Sequence, residues 1–121
     1  MDGLILLAHG ARSDQWSQPF RSIRERLRLA RPELPTSLAF LEFMQPDFAT
    51  ACEQLVGAGA SRVVVCPLFL GIGGHVARDI PLLIETARAR WPAVRFENGR
   101  PIGEEEPVLH AIAEACLARL A

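Results

Sequence analysis

The chain has 121 residues, 50% of them apolar and 22% charged, which is the profile of one soluble globular domain over residues 1–121. Its formal net charge of −1 gives no global field for nucleic acid or an anionic membrane, and the complete absence of lysine excludes Schiff-base and P-loop lysine chemistry. Cys52, Cys66 and Cys116 are too few and too far apart for a disulfide framework or a Cys-x-x-Cys metal site, and each reads as a core thiol.

Met1-Asp2-Gly3 has no positively charged leader character, and no apolar run approaches the ~18 residues of a membrane span, so the chain reads as cytoplasmic. Leu4–Ala8 is an uninterrupted apolar run that ends in His9-Gly10, the pattern of a buried parallel strand. After the loop Gly10–Asp14, Trp16, Phe20, Ile23, Leu27 and Ala30 recur at helical spacing, and Pro32 and Pro35 stop that helix. Ser37–Leu41 reads as a second strand with Glu42 at its end. Gln45-Pro46-Asp47 opens a helix with proline in its first turn, and Phe48, Ala51, Cys52, Leu55 and Val56 face inward.

Arg62–Leu70 is the second long apolar run, and its three consecutive valines predict a strand buried on both faces. Pro67 brings no N–H to the ladder, so the chain should leave the sheet there. Gly71-Ile72-Gly73-Gly74-His75 reads as a flexible loop carrying the second histidine. Val76–Pro81 leads into a helix with Ile80, Leu83, Ile84, Ala87 and Trp91 on one face, and Asp79 is placed to cap it. Val94–Asn98 is a short edge strand. Pro107 opens a last helix with Val108, Ile112, Ala115, Cys116 and Leu120 inward.

Strand and helix alternate at a spacing that requires a chain of βαβ units. The expectation is an α/β three-layer domain with a four-stranded parallel sheet in the order 2-1-3-4. In that order His9, His75 and Glu42 all lie at the carboxyl edge, where open α/β sheets bind ligands. Two imidazoles and a carboxylate suit a divalent ion such as Fe²⁺, Co²⁺ or Ni²⁺, and an imidazole takes up protons near neutral pH. Glu42 also suits a solvated strand end. Arg12, Arg78 and Arg100 could fork onto a carboxylate or stand as surface charge. Ser13 suits a helix cap, with donation to a ligand as its other use. His110 falls within the last helix, away from the strand ends. No dinucleotide glycine pattern, nucleoside-triphosphate loop or serine nucleophile elbow is present.

Leu7-Ala8-His9-Gly10-Ala11-Arg12 resembles the opening motif of the small class II chelatases. Ala39–Glu42 resembles their Phe-Leu-Glu segment, and Pro67–Leu70 with Gly73–Pro81 resembles their most distinctive stretch. The pattern covers nearly the whole chain, in order, and is similar to the short CbiX-type (CbiX/SirB) sirohydrochlorin chelatases. The resemblance implies insertion of Co²⁺ or Fe²⁺ into sirohydrochlorin on the routes to cobalamin and sirohaem. It implies His9 and His75 as the catalytic, metal-handling pair with Glu42 as a third metal residue. Substrate contacts are expected at Arg12, Ser13, Gly73 and Gly74. No permanent cofactor is implied, since the metal is a substrate. Ala11 stands where the family usually has serine, so no hydroxyl donor is carried over there. A chain of this length resembles one half of the longer relatives, which implies a homodimer. A noncatalytic metal or tetrapyrrole carrier is the alternative.

Overall fold

The computed structural model describes all 121 residues. Its strands are β1 (Asp2–Ala8), β2 (Thr36–Phe40), β3 (Arg62–Pro67) and β4 (Arg95–Asn98). They form one sheet in the order β2-β1-β3-β4, parallel throughout. The expected α/β topology is the observed one. The long apolar strands β1 and β3 take the centre because only there can both faces be sheltered.

α2 (Phe48–Gly57) and α3 (Gly74–Arg90) lie on one face. There Ile5, Leu7, Val63 and Val65 pack with Phe48, Ala51, Leu55, Ile80 and Ile84 in the main core. α1 (Gln18–Ala30) lies on the other, where Trp16, Phe20 and Leu27 pack on Leu6, Ala8, Leu38 and Phe40. α4 (Glu106–Ala118) closes the chain. In the register, Ala8 lies beside Phe40 and Leu7 beside Pro67, so the segments after β1, β2 and β3 leave the sheet at one level. The strand ends at Pro67 as its missing N–H requires.

Several local expectations give way. α3 starts at Gly74, well before Pro81, so His75 is in the first helical turn and not in a loop. Pro81 therefore sits inside the helix, where it offers no N–H to the Ala77 carbonyl. Asp79, one turn into α3, is too late to cap it; Gly73 holds that position. Pro46 precedes the second helix instead of opening it. Asp47 is the cap, its Oδ1 accepting the Thr50 N–H at 2.8 Å.

Ser13 precedes a 3-10 turn, Asp14–Ser17, without capping it through its side chain. The reason is local: the Trp16 N–H is already bonded to the Ser13 backbone carbonyl at 3.1 Å. β3 is buried on one face only, with Val63, Val65 and Pro67 enclosed and Val64 and Cys66 half-buried. Ile112, Ala115, Cys116 and Leu120, expected to face inward, are exposed, and Val108 is half-buried. Both departures have one cause: α4 does not lie on the sheet.

Candidate functional site

The turn after β1 is clamped to the turn after β2. The His9 carbonyl accepts the N–H groups of Leu41 and Glu42, at 3.1 and 3.0 Å. Gly10 makes the approach possible: it holds φ +99°, and a Cβ there would lie 1.8 Å from the Glu42 carbonyl oxygen. This brings the two side chains together, with His9 Nε2 2.7 Å from Glu42 Oε1. The imidazole N–H donates to the carboxylate, a charge-assisted bond when the ring is protonated.

A second histidine–carboxylate pair comes from α3. His75 and Asp79 stand one turn apart on the same helical face, with Nε2 3.0 Å from Oδ2. His9, Glu42, His75 and Asp79 line one cavity of about 90 Å³, with Leu41 and Val76 as its apolar wall. The structure thus brings the three residues of the sequence-derived metal set to one cleft and adds a fourth. The cleft is open: the side chains of His9 and Glu42 are about half exposed and that of His75 is 83% exposed. No three His, Cys, Asp or Glu side chains are already disposed to hold a single ion.

The remaining expected contacts surround this cleft less tightly. Gly73 caps α3 and Gly74 opens it, and a Cβ on either would meet nothing within 4 Å. Neither glycine has a positive φ, so the protein's own packing does not require glycine there. The Arg12 guanidinium lies 4.8 Å from the centre of the Phe43 ring. Ser13 and Arg78 are exposed. Arg100 is paired with Glu105 at 3.0 Å, and His110 is on exposed α4, outside the site.

Sequence reasoning passed over Asp79 and Phe43. Asp79 resembles a cap until the start of α3 is known. Phe43 is signalled by a large apolar residue in the short turn between β2 and α2. It is 57% exposed and holds φ +67°, a left-handed conformation unusual for a bulky residue. Thiolate chemistry has no foothold in the core, since burial pushes the Cys52 thiol up to about 12 and raises Cys66 as well. A wider cleft of about 540 Å³, lined by Arg88, Pro92, Val94, Arg95, Phe96 and Glu97, lies at the start of β4, at the opposite edge of the sheet.

The family model CbiX matches residues 3–118. A sirohydrochlorin ferrochelatase of Bacillus subtilis (strain 168) is 33% identical over 110 residues, which is 90% of this chain and 42% of that protein. The crystal structure of a cobalamin (vitamin B12) biosynthesis CbiX protein from Marinobacter aquaeolei VT8 matches with a TM-score of 0.87 and 28% identity, over 99% of this chain and 98% of that one. The sirohydrochlorin chelatase SirB from Bacillus subtilis subspecies spizizenii, in complex with cobalt, matches with a TM-score of 0.79 and 32% identity, over 93% of this chain and 48% of that one. The chain spans less than half the length of the ferrochelatase and of SirB.

Proposed function

This chain belongs to the CbiX family, and on that premise we propose that it is a sirohydrochlorin chelatase: a single domain, paired as a homodimer, that inserts Co²⁺ or Fe²⁺ into the macrocycle. One observation carries the reading. Two imidazoles from separate elements, each with its own carboxylate, face one open cleft at the carboxyl edge of the sheet.

Insertion exchanges the inner pyrrole protons for a divalent ion. The imidazoles of His9 and His75 can accept those protons and offer nitrogen lone pairs to the ion. Glu42 and Asp79 neutralise the imidazolium that forms and can join the ion as hard oxygen ligands. The metal is a substrate, so a loose ligand set is an advantage. An ion held by a closed cage would not transfer to the macrocycle nitrogens. That looseness favours insertion over a storage or carrier role.

The rim suits a flat, acidic substrate. Phe43 offers an exposed aromatic face, and Arg12 and Arg78 supply forks for peripheral carboxylates. Ser13 is free to donate because it does not cap. The bare backbone at Gly73-Gly74 lets a ring approach the first turn of α3.

The test is anaerobic mixing of the chain with sirohydrochlorin and Co²⁺, Fe²⁺ or Ni²⁺, followed by absorbance. A rate above the spontaneous one is expected with cobalt or iron, and no acceleration with any ion overturns the assignment. His9→Ala and His75→Ala are each expected to lower the rate about 100-fold or more while the folded structure persists. Wild-type rates in both would remove the histidine mechanism.

A further inference from the structure

The turn that carries His9 and Arg12 leads through Asp14–Ser17 into α1. Near the start of that helix, Arg21 stands in an unusual setting. The guanidiniums of Arg28, Arg62, Arg88 and Arg90 are each neutralised by a carboxylate. Arg21 is half-buried and pairs with none. Its polar partner is a hydroxyl: Nε donates to Ser17 Oγ at 2.9 Å.

That contact is braced. Ser17 is 1% exposed. Its own hydroxyl donates to the Asp14 carbonyl at 2.8 Å, which leaves its lone pairs to accept from Arg21. Arg21 Cζ lies 5.7 Å from the centre of the Phe40 ring. Arg26 makes the corresponding bond to Ser22, but at 3.4 Å and with both residues exposed. With Nε engaged, Nη1 and Nη2 of Arg21 remain as a free pair of donors, the fork that fits a carboxylate end-on. A half-buried cation without a counter-charge carries a desolvation cost, and an arriving anion relieves it.

The fork stands beside the metal cleft. Phe40 ends β2, pairs in register with Ala8 just before His9, and lies two residues before Glu42. Arg12 is stacked on Phe43, the residue after Glu42, and it too has no carboxylate partner. Two guanidiniums without counter-charges thus rest on aromatic rings at either end of the segment that carries Glu42. We propose that Arg21 and Arg12 form a two-point seat for carboxylates on the rim of the substrate. Arg21 is the fixed fork, a specificity-determining residue that selects acidic macrocycles and sets how they lie over the cleft. This rests on the chelatase reading above and deepens it. Arg12 is exposed and adjusts to the ligand. Arg21 is held in advance, so it loses little freedom on binding and discriminates by geometry as well as charge.

Metal-free binding tests the seat apart from insertion. Sirohydrochlorin, uroporphyrin, with carboxylates on every pyrrole ring, and mesoporphyrin, with a mostly alkyl rim, are titrated against the chain by fluorescence. Arg21→Gln is expected to raise Kd for sirohydrochlorin and uroporphyrin about 10-fold and to leave mesoporphyrin binding as in the wild type. In steady-state insertion the same variant is expected to lose more in KM than in kcat. Arg21→Lys keeps the charge without the fork and is expected to recover only part of the affinity. Arg26→Gln removes an equal charge from an unbraced position on the same helix and is expected to change nothing. Equal weakening for both porphyrins would make Arg21 a packing residue. Equal weakening by Arg26→Gln would reduce the effect to net charge, and an unchanged Kd in Arg21→Gln, or a wild type that binds none of the three, would remove the seat. Each of these overturns the proposal. A wild type that binds sirohydrochlorin in this Arg21-dependent way yet inserts no metal would uphold the seat and sink the chelatase reading.

Discussion

Each imidazole of the cleft has a carboxylate companion. His9 hydrogen-bonds Glu42 through Nε2, and His75 Nε2 lies 3.0 Å from Asp79 Oδ2. On the proposed reading, a divalent ion either displaces the carboxylate from that nitrogen or binds the other ring nitrogen while the carboxylate fixes the tautomer. In the second case Asp79 acts through His75 as a positioning residue. Asp79→Asn keeps the size and removes the charge. It is expected to weaken Co²⁺ handling and lower kcat about 10-fold with unchanged stability, and Asp79→Glu is expected to recover part of the loss. Equal kcat values for wild type and Asp79→Asn would show the pair to be incidental. Phe43 supplies a different test. A left-handed backbone costs an L-residue roughly 1–2 kcal/mol, and glycine escapes that cost at some expense in chain entropy. Phe43→Gly is expected to raise stability by about 0.5–1 kcal/mol in chemical denaturation while raising KM for sirohydrochlorin. Loss of stability would mean that the ring's packing, not its reach toward substrate, holds it there. His9 and Glu42 were legible as residues because each follows the end of an apolar run, and His75 because it follows a glycine-rich stretch that has no packing need for a histidine. Asp79 was hidden because its partnership exists only once His75 is helical.

Among the elements, α2 has the plainest sequence logic and the clearest pH signature. The Thr50 backbone N–H holds the Asp47 carboxyl below its ordinary range. In the unfolded chain the carboxyl regains its ordinary value. The stabilisation is therefore complete above that ordinary value and is lost as pH falls through the lowered folded-state value. Asp47→Ala is expected to cost about 1 kcal/mol at neutral pH, with the gap between wild type and variant closing in acid. A gap that stays constant down through the carboxylate range would assign the cost to something other than the charged cap. Strands were legible to within about two residues because Pro67 and the flanking polar residues end the apolar runs. Helix starts were less so. Proline suits a first turn so well that Pro46 and Pro81 both drew the expected boundaries toward themselves. One lies just outside its helix and the other well inside.

Over the whole molecule, the strand order followed from two facts visible in the sequence: which runs are apolar throughout, and that parallel crossovers are right-handed. That order alone brings His9 and His75, far apart in the chain, to one edge. The exposure of α4 was not visible in the same way. Its apolar stripe has the spacing of a buried helix, but periodicity carries no information about whether the chain lays that stripe on the sheet. The half-buried face of β3 has the same cause.

Pro81 has a further consequence. The turns of α3 before it carry His75, contain no enclosed side chain until Ile80, and lack the hydrogen bond that would tie Ala77 to the next turn. Few contacts and a missing rung are the marks of a segment that opens by itself, ahead of global unfolding. Hydrogen–deuterium exchange should find the amides of residues 77–80 exchanging faster than those of residues 83–90, and uniform protection along α3 would contradict it. The two imidazoles would then differ in tempo. His9, locked through Gly10 to the neighbouring turn, would be a fixed post, and on the proposed reading His75 would be a hand that follows an ion in and lets it go.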